Sequence, residues 1–203
     1  MIQDESVDFP INTSETKFAG RIWDVMQDEF TFRDETLTRD YIVHPGAVGV
    51  IALNDLGQML LVQQYRHPLR KMMWEPPAGL LDVDGEDPLD AAKRELLEET
   101  GYIAQDWRVL FDFAPSGGGS TEQIRCYLAT GLEEHPEGRP IGEAEEQHMP
   151  VQWIPVAEVM KSIHAGVVSN SLLVAGTFAL LAAMADPDAI VRDGDAPWHA
   201  KTR

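Results

Sequence analysis

Arg94, Glu95, Glu98 and Glu99 carry the most visible chemistry in this sequence. The three glutamates fall at i, i+3 and i+4, a spacing that gathers their carboxylates on one face of a helix. Three such groups repel one another at neutral pH, and something must compensate. Hard oxygen ligands gathered this way suit Mg²⁺ or Mn²⁺, which favour carboxylates and phosphate oxygens. Arg94 stands i,i+4 from Glu98, where it can orient a carboxylate. A Glu-rich helix is also a common solvated face, so the string alone leaves both readings open.

The helix that must present these groups has clear ends. Asp87 suits an N-cap, Pro88 the first helical position and Gly101 the C′ position, which predicts a helix over residues 88–100. Leu89, Ala92 and Leu96 give it one apolar face toward a core. Just upstream, Arg66, His67, Arg70 and Lys71 form a basic cluster in a chain holding only 16 Lys and Arg. Arginine suits a diphosphate because its planar fork donates two parallel hydrogen bonds. A merely solvated loop is the bland alternative for Arg70 and Lys71.

The surroundings decide between the readings of the helix. Gly79, Glu86 and the run Arg94-Glu95-Leu96-Leu97-Glu98-Glu99-Thr100-Gly101-Tyr102 resemble the Nudix box. Its pattern is a glycine, a glutamate, then Arg-Glu-U-x-Glu-Glu-x-Gly-U, where U is apolar or aromatic. Spacing and residue types match from Glu86 onward; six residues rather than five separate Gly79 from Glu86, an insertion that a loop absorbs. Trp74-Glu75-Pro76-Pro77-Ala78-Gly79 is similar to the Trp-Glu-Leu-Pro-Ala-Gly run of the ADP-ribose diphosphatase branch. Pro115 and the loop Ser116–Glu122 look like that branch's downstream proline and Gly/Ser-rich loop. By itself that loop lacks the Gly-Lys-Ser/Thr of a P-loop and reads as a mobile surface turn or a substrate-closing loop.

The resemblance implies an α+β Nudix fold, a mixed β-sheet sandwiched between α-helices, with an N-terminal antiparallel strand subdomain. It implies Mg²⁺ (Mn²⁺ able to substitute) held by the Ala78 carbonyl, Glu95 and Glu99 with Glu98 close by. It further implies substrate contacts from Arg66, Glu75 and Arg70, and a base on the acidic run Gly142–Gln147, Glu145 first and Glu146 next. Glu98 and Arg94 complete the expected catalytic set. ADP-ribose would give AMP and ribose 5-phosphate. The alternatives are another nucleoside diphosphate sugar and a non-catalytic ADP-ribose sensor. A homodimer is implied by the branch alone.

Composition agrees. The chain has 203 residues, 44% hydrophobic and 25% charged, with a formal net charge of −18. That charge excludes nucleic-acid and anionic-membrane binding, which need basic patches, and fits a site that takes cations before phosphate. The acidic start carries no apolar run, so no signal peptide is expected. Leu172–Ala185 is too short to span a bilayer and reads as a buried helix. Cys126, the only cysteine, excludes an intrachain disulfide and points to a cytoplasmic, structural thiol. The histidines at 44, 135, 148, 164 and 199 lack metal-like spacing.

Three regions are expected: an N-terminal strand region over 1–45, a catalytic domain over 46–185, and a flexible acidic tail over 186–203. Alternating apolar residues over 17–44 read as an antiparallel meander. Ala47–Leu53 and Met59–Tyr65 read as a hairpin about Asn54–Gly57. Further strands are expected at 107–113, 123–129 and 151–154, and further helices at 156–163 and 171–185.

Overall fold

The computed structural model describes residues 2–141, 149–186 and 191–199. The chain divides into two compact units, Met1–Pro45 with Ser116–Glu122, and Gly46–Pro115 with Gln123–Arg203.

In the first unit, β1 (Ile11–Ala19), β2 (Asp24–Phe32) and β3 (Glu35–Val43) form an antiparallel three-stranded sheet. The meander begins at Ile11, earlier than the apolar alternation indicates. Residues 12–17 are polar throughout, and their strand is held by backbone pairing and by cross-strand bonds such as Ser14 Oγ to Asp28 Oδ1 at 2.6 Å. The Gly/Ser-rich loop is tied down too. Ile42 N donates to Gly119 O and Thr121 N to Ile42 O, both at 2.9 Å, so the loop lies alongside the end of β3 through a parallel bridge at Ser120 instead of forming a free turn. His44 is buried with Glu122 at 3.7 Å and the Trp23 ring beside it; burial keeps its imidazole below the usual pKa.

The second unit carries the expected α+β sandwich. Its main sheet has the order β11-β8-β9-β4-β7, from β4 (Ala47–Ala52), β7 (Ala78–Leu80), β8 (Tyr102–Phe113), β9 (Ile124–Glu134) and β11 (Arg192–Asp193). β4 runs parallel to β9, and the other pairs are antiparallel. A smaller sheet orders β10 (Val151–Pro155), β5 (Gln58–Arg66) and β6 (Lys71–Glu75). β4 is buried on both faces. Val48 and Val50 pack with Ala91, Ala92 and Leu96 of α1 (Pro88–Thr100), while Ile51 packs with Leu173 and Leu180 of α3 (Ser171–Ala185). Val156 and Val159 of α2 (Val156–His164) join the α3 side. Each fully buried side chain of this kind contributes about 1.5–3 kcal/mol.

Two expectations need correction. β4 and β5 are not a paired hairpin but enter different sheets, with an isolated backbone bridge at Leu53–Met59. Asn54 still makes the turn, its side chain accepting from Leu56 N and Gln58 N at 3.0 and 2.9 Å, but Leu53 N bonds Ala129 O across the larger sheet. α3 is buried on one side only, and Phe178 and Met184 are exposed. Within residues 191–199, β11 pairs with β8, and buried Arg125 donates to Ala196 O and Pro197 O at 2.6 and 3.0 Å beneath the Trp198 ring. No helix among the described residues is long and apolar enough to cross a membrane.

Candidate active site

α1 forms where its caps predict. Asp87 accepts from Leu89 N at 2.8 Å, and Gly101 closes the helix at φ +79° with its N–H on Leu97 O. That conformation favours glycine, and a side chain there would also meet the Arg139 backbone at 2.8 Å. Arg139, which sequence alone did not single out, donates to Glu98 O at 3.2 Å and to Met149 O at 2.9 Å. It thereby satisfies a C-terminal carbonyl of α1 that the helix leaves without an internal partner.

The carboxylates divide in a way their spacing does not reveal. Arg94 is a hub. It grips Glu86 with two bonds of 2.9 Å and also donates to Glu95 at 2.7 Å and Glu98 at 3.1 Å. The Glu86 bonds push the Arg94 pKa further up and hold the Glu86 carboxyl below its usual value. Glu99 turns inward instead. It is buried, and its Oε2 accepts the Ala78 N–H at 3.0 Å. The repulsion expected along the helix is thus offset by one arginine and one backbone amide.

β7 brings the strand side of the site to these glutamates. Pro77 O accepts from Val50 N, and Leu81 N donates to Gly46 O. Alternate residues of an antiparallel strand face the same neighbour, so Ala78, out of step with both, turns its amide and carbonyl to the free edge of the sheet. Its N–H meets Glu99 there. At Gly79 an added Cβ would overlap the Glu95 carboxylate, so only glycine lets Glu95 lie against this strand. Ala78, Glu95 and Glu99 therefore meet at one peptide. The donor set, two carboxylates beside an outward carbonyl, is hard oxygen throughout and fits Mg²⁺ or Mn²⁺. Among the described residues no three His, Cys, Asp or Glu side chains converge as a ready-made metal cluster.

Arg66 ends β5 and Glu75 ends β6. Arg66 Nε donates to the two Glu75 oxygens at 2.9 and 3.1 Å and Nη2 to Oε2 at 2.5 Å. Glu75, expected among the substrate contacts, is buried with both oxygens engaged, whereas Arg66 is 44% exposed. Arg70 is exposed in a left-handed conformation at φ +52°, closing a short 3-10 turn. Glu145 and Glu146 lie outside the described residues. A concavity between Arg108 and Asp195 follows β11, at the opposite edge of the sheet from β7, and none of the expected site residues lines it.

Residues 43–171 match the family model described as the NUDIX domain. The chain belongs to the Nudix hydrolase family. It is 42% identical over 174 residues to the ADP-ribose pyrophosphatase of Mycobacterium tuberculosis, covering 85% of this chain and 83% of that one. It is also 40% identical over 133 residues to the methanol dehydrogenase activator of Bacillus methanolicus, covering 65% and 71% of the two chains. A solved structure titled as that of an ADP compounds hydrolase shares the fold with a TM-score of 0.75 at 22% identity, over 91% of this chain and 98% of that one. This Nudix enzyme therefore belongs with hydrolases of nucleoside diphosphate compounds, and its family generally uses divalent cations.

Proposed function

We propose that this Nudix hydrolase cuts ADP-ribose with water into AMP and ribose 5-phosphate, using Mg²⁺, with Mn²⁺ able to replace it. The observation that carries the reading is the Ala78–Gly79 peptide, with Glu99 bonded to its edge and Glu95 packed against the missing Cβ. The relative from M. tuberculosis, matched over most of both chains, favours ADP-ribose among diphosphate compounds.

In this reading Glu95, Glu99 and the Ala78 carbonyl hold the cations, with Glu98 at the exposed margin. Mg²⁺, when bound, neutralises the diphosphate and stabilises charge developing on its oxygens. Arg94 holds the helix carboxylates in place. Arg66 and Arg70 donate to the diphosphate, and Arg66 presents a planar fork for it. Glu145, with Glu146 as the neighbouring alternative, takes the proton from the attacking water. Catalysis is then mainly positioning and charge stabilisation.

A homodimer completes the proposal. Ile11, Phe18, Ile22 and Trp23 are exposed around the β1–β2 sheet, and a second copy would cover such a surface. Residues 1–45 serve as that dimerising region, 46–185 as the catalytic domain and 186–203 as an appended tail. A cytoplasmic setting suits the buried free thiol of Cys126, whose pKa burial pushes up.

The test is incubation with ADP-ribose, GDP-mannose, UDP-glucose, NADH and diadenosine compounds, with and without Mg²⁺, followed by product chromatography. Mg²⁺-dependent release of AMP and ribose 5-phosphate is expected, fastest from ADP-ribose. Preferred turnover of a hexose compound would move the substrate, and tight ADP-ribose binding without turnover on any compound would make the chain a sensor.

A further inference from the structure

We propose that Glu75 is a positioning residue that sets the Arg66 guanidinium for diphosphate binding and does not itself touch substrate. The proposal rests on the reading of Arg66 as a diphosphate contact.

Three observations lead to it. First, the Glu75 side chain is only 3% exposed while its partner is 44% exposed, so the pair presents its cation and hides its anion. A carboxylate open to a diphosphate would repel it; one buried behind an arginine does not. Second, the pairing is a fork. Nε bonds both carboxylate oxygens and Nη2 bonds one, which fixes the plane of the guanidinium as well as its position.

Third, the strand register makes Arg66 reach back. Arg66 lies opposite Lys71, whereas Glu75 lies opposite Val62, four residues back along β5. Both side chains must extend toward each other to meet, and the guanidinium is drawn toward the Glu75 end. That end is joined to Ala78 through Pro76 and Pro77 alone, a span of at most about 11 Å. Removing Glu75 takes away the fork that fixes the plane of this guanidinium, and re-ordering the side chain on ligand then costs conformational entropy. With Glu75 it is held before ligand arrives.

The test is a double-mutant cycle of Glu75→Gln, Arg66→Gln and the pair. Glutamine keeps the size of the glutamate, and the Gln–Gln pair buries no charge, so the double variant keeps the cycle readable if a single variant folds poorly. ADP binding with Mg²⁺ is measured by calorimetry, alongside kcat and KM on ADP-ribose and the thermal midpoint. Each single substitution is expected to weaken ADP binding roughly tenfold, and the double by no more than about twofold beyond Arg66→Gln. For Glu75→Gln, KM should rise while kcat stays close to that of the parent. If Arg66→Gln binds ADP as the parent does, the diphosphate reading of Arg66 falls and this proposal with it. If Arg66→Gln weakens binding but Glu75→Gln does not, or the two effects multiply in the double variant, only the positioning role is overturned.

Discussion

The Glu99 carboxylate accepts the backbone N–H of Ala78, twenty-one residues away in sequence, at 3.0 Å. This bond joins α1 to the edge strand and places the helix carboxylates beside an outward-facing peptide. Everything proposed for the diphosphate site depends on that junction.

Gly79→Ala tests it sterically. The added methyl overlaps the Glu95 carboxylate, so either Glu95 or β7 must shift. The colliding atoms are the flexible end of Glu95, which can swing aside at little cost in stability, but a ligand displaced by about 1 Å lowers kcat roughly a hundredfold. Thermal unfolding and ADP-ribose turnover, measured together, should show a folded but crippled protein. Parent-like turnover would place Glu95 outside the site.

Arg94→Met removes the cation shared by Glu86, Glu95 and Glu98. The thermal midpoint at pH 7 should fall by an amount corresponding to about 1–2 kcal/mol. The sign of the pH dependence follows from Glu86. Its carboxyl is held below the ordinary 4.5 by Arg94, so its contribution is present above 4.5 and is lost as pH falls through the folded-state value. The stability gap between parent and variant should therefore narrow in acid. A gap of constant size from pH 7 to pH 3 would show that Arg94 acts through packing alone.

Trp198→Ala tests the docked tail. Arg125 lies under the indole and bonds Asp112 as well as two tail carbonyls. Loss of the ring should cost about 1–2 kcal/mol through the cation–π contact and lost burial. Hydrogen exchange should accelerate at Val109 and Arg192, where β8 and β11 pair. Unchanged exchange there would mean that the short strand stands without its aromatic anchor.

What could be read in advance was local. The ends of α1 were legible because an N-cap, an N1 proline and a C′ glycine act within a few residues. The separation of β4 from β5 was not, because Asn54 makes the same turn whether the flanking strands pair or diverge. β6 and β7 are short and meet at two prolines, which hides their alternation. The tail escaped because its anchor, Arg125, is 71 residues from Ala196. Within the site, the glutamate spacing announced Glu95 and Glu99, but not that Arg94 would hold the first and a backbone amide the second. Arg139 carried no signal, since its partners are main-chain carbonyls of Glu98 and Met149.

The most direct measurement compares Mg²⁺-dependent ADP-ribose hydrolysis by the parent and by Glu99→Gln. Glutamine can still accept from Ala78 N, so folding, followed by thermal unfolding, should be preserved. The lost negative charge should lower kcat by roughly a hundredfold or more and raise the Mg²⁺ concentration needed for half-maximal rate. A folded Glu99→Gln that turns over ADP-ribose at the parent rate with the same Mg²⁺ requirement would contradict the assignment of this helix and strand as the metal–diphosphate site.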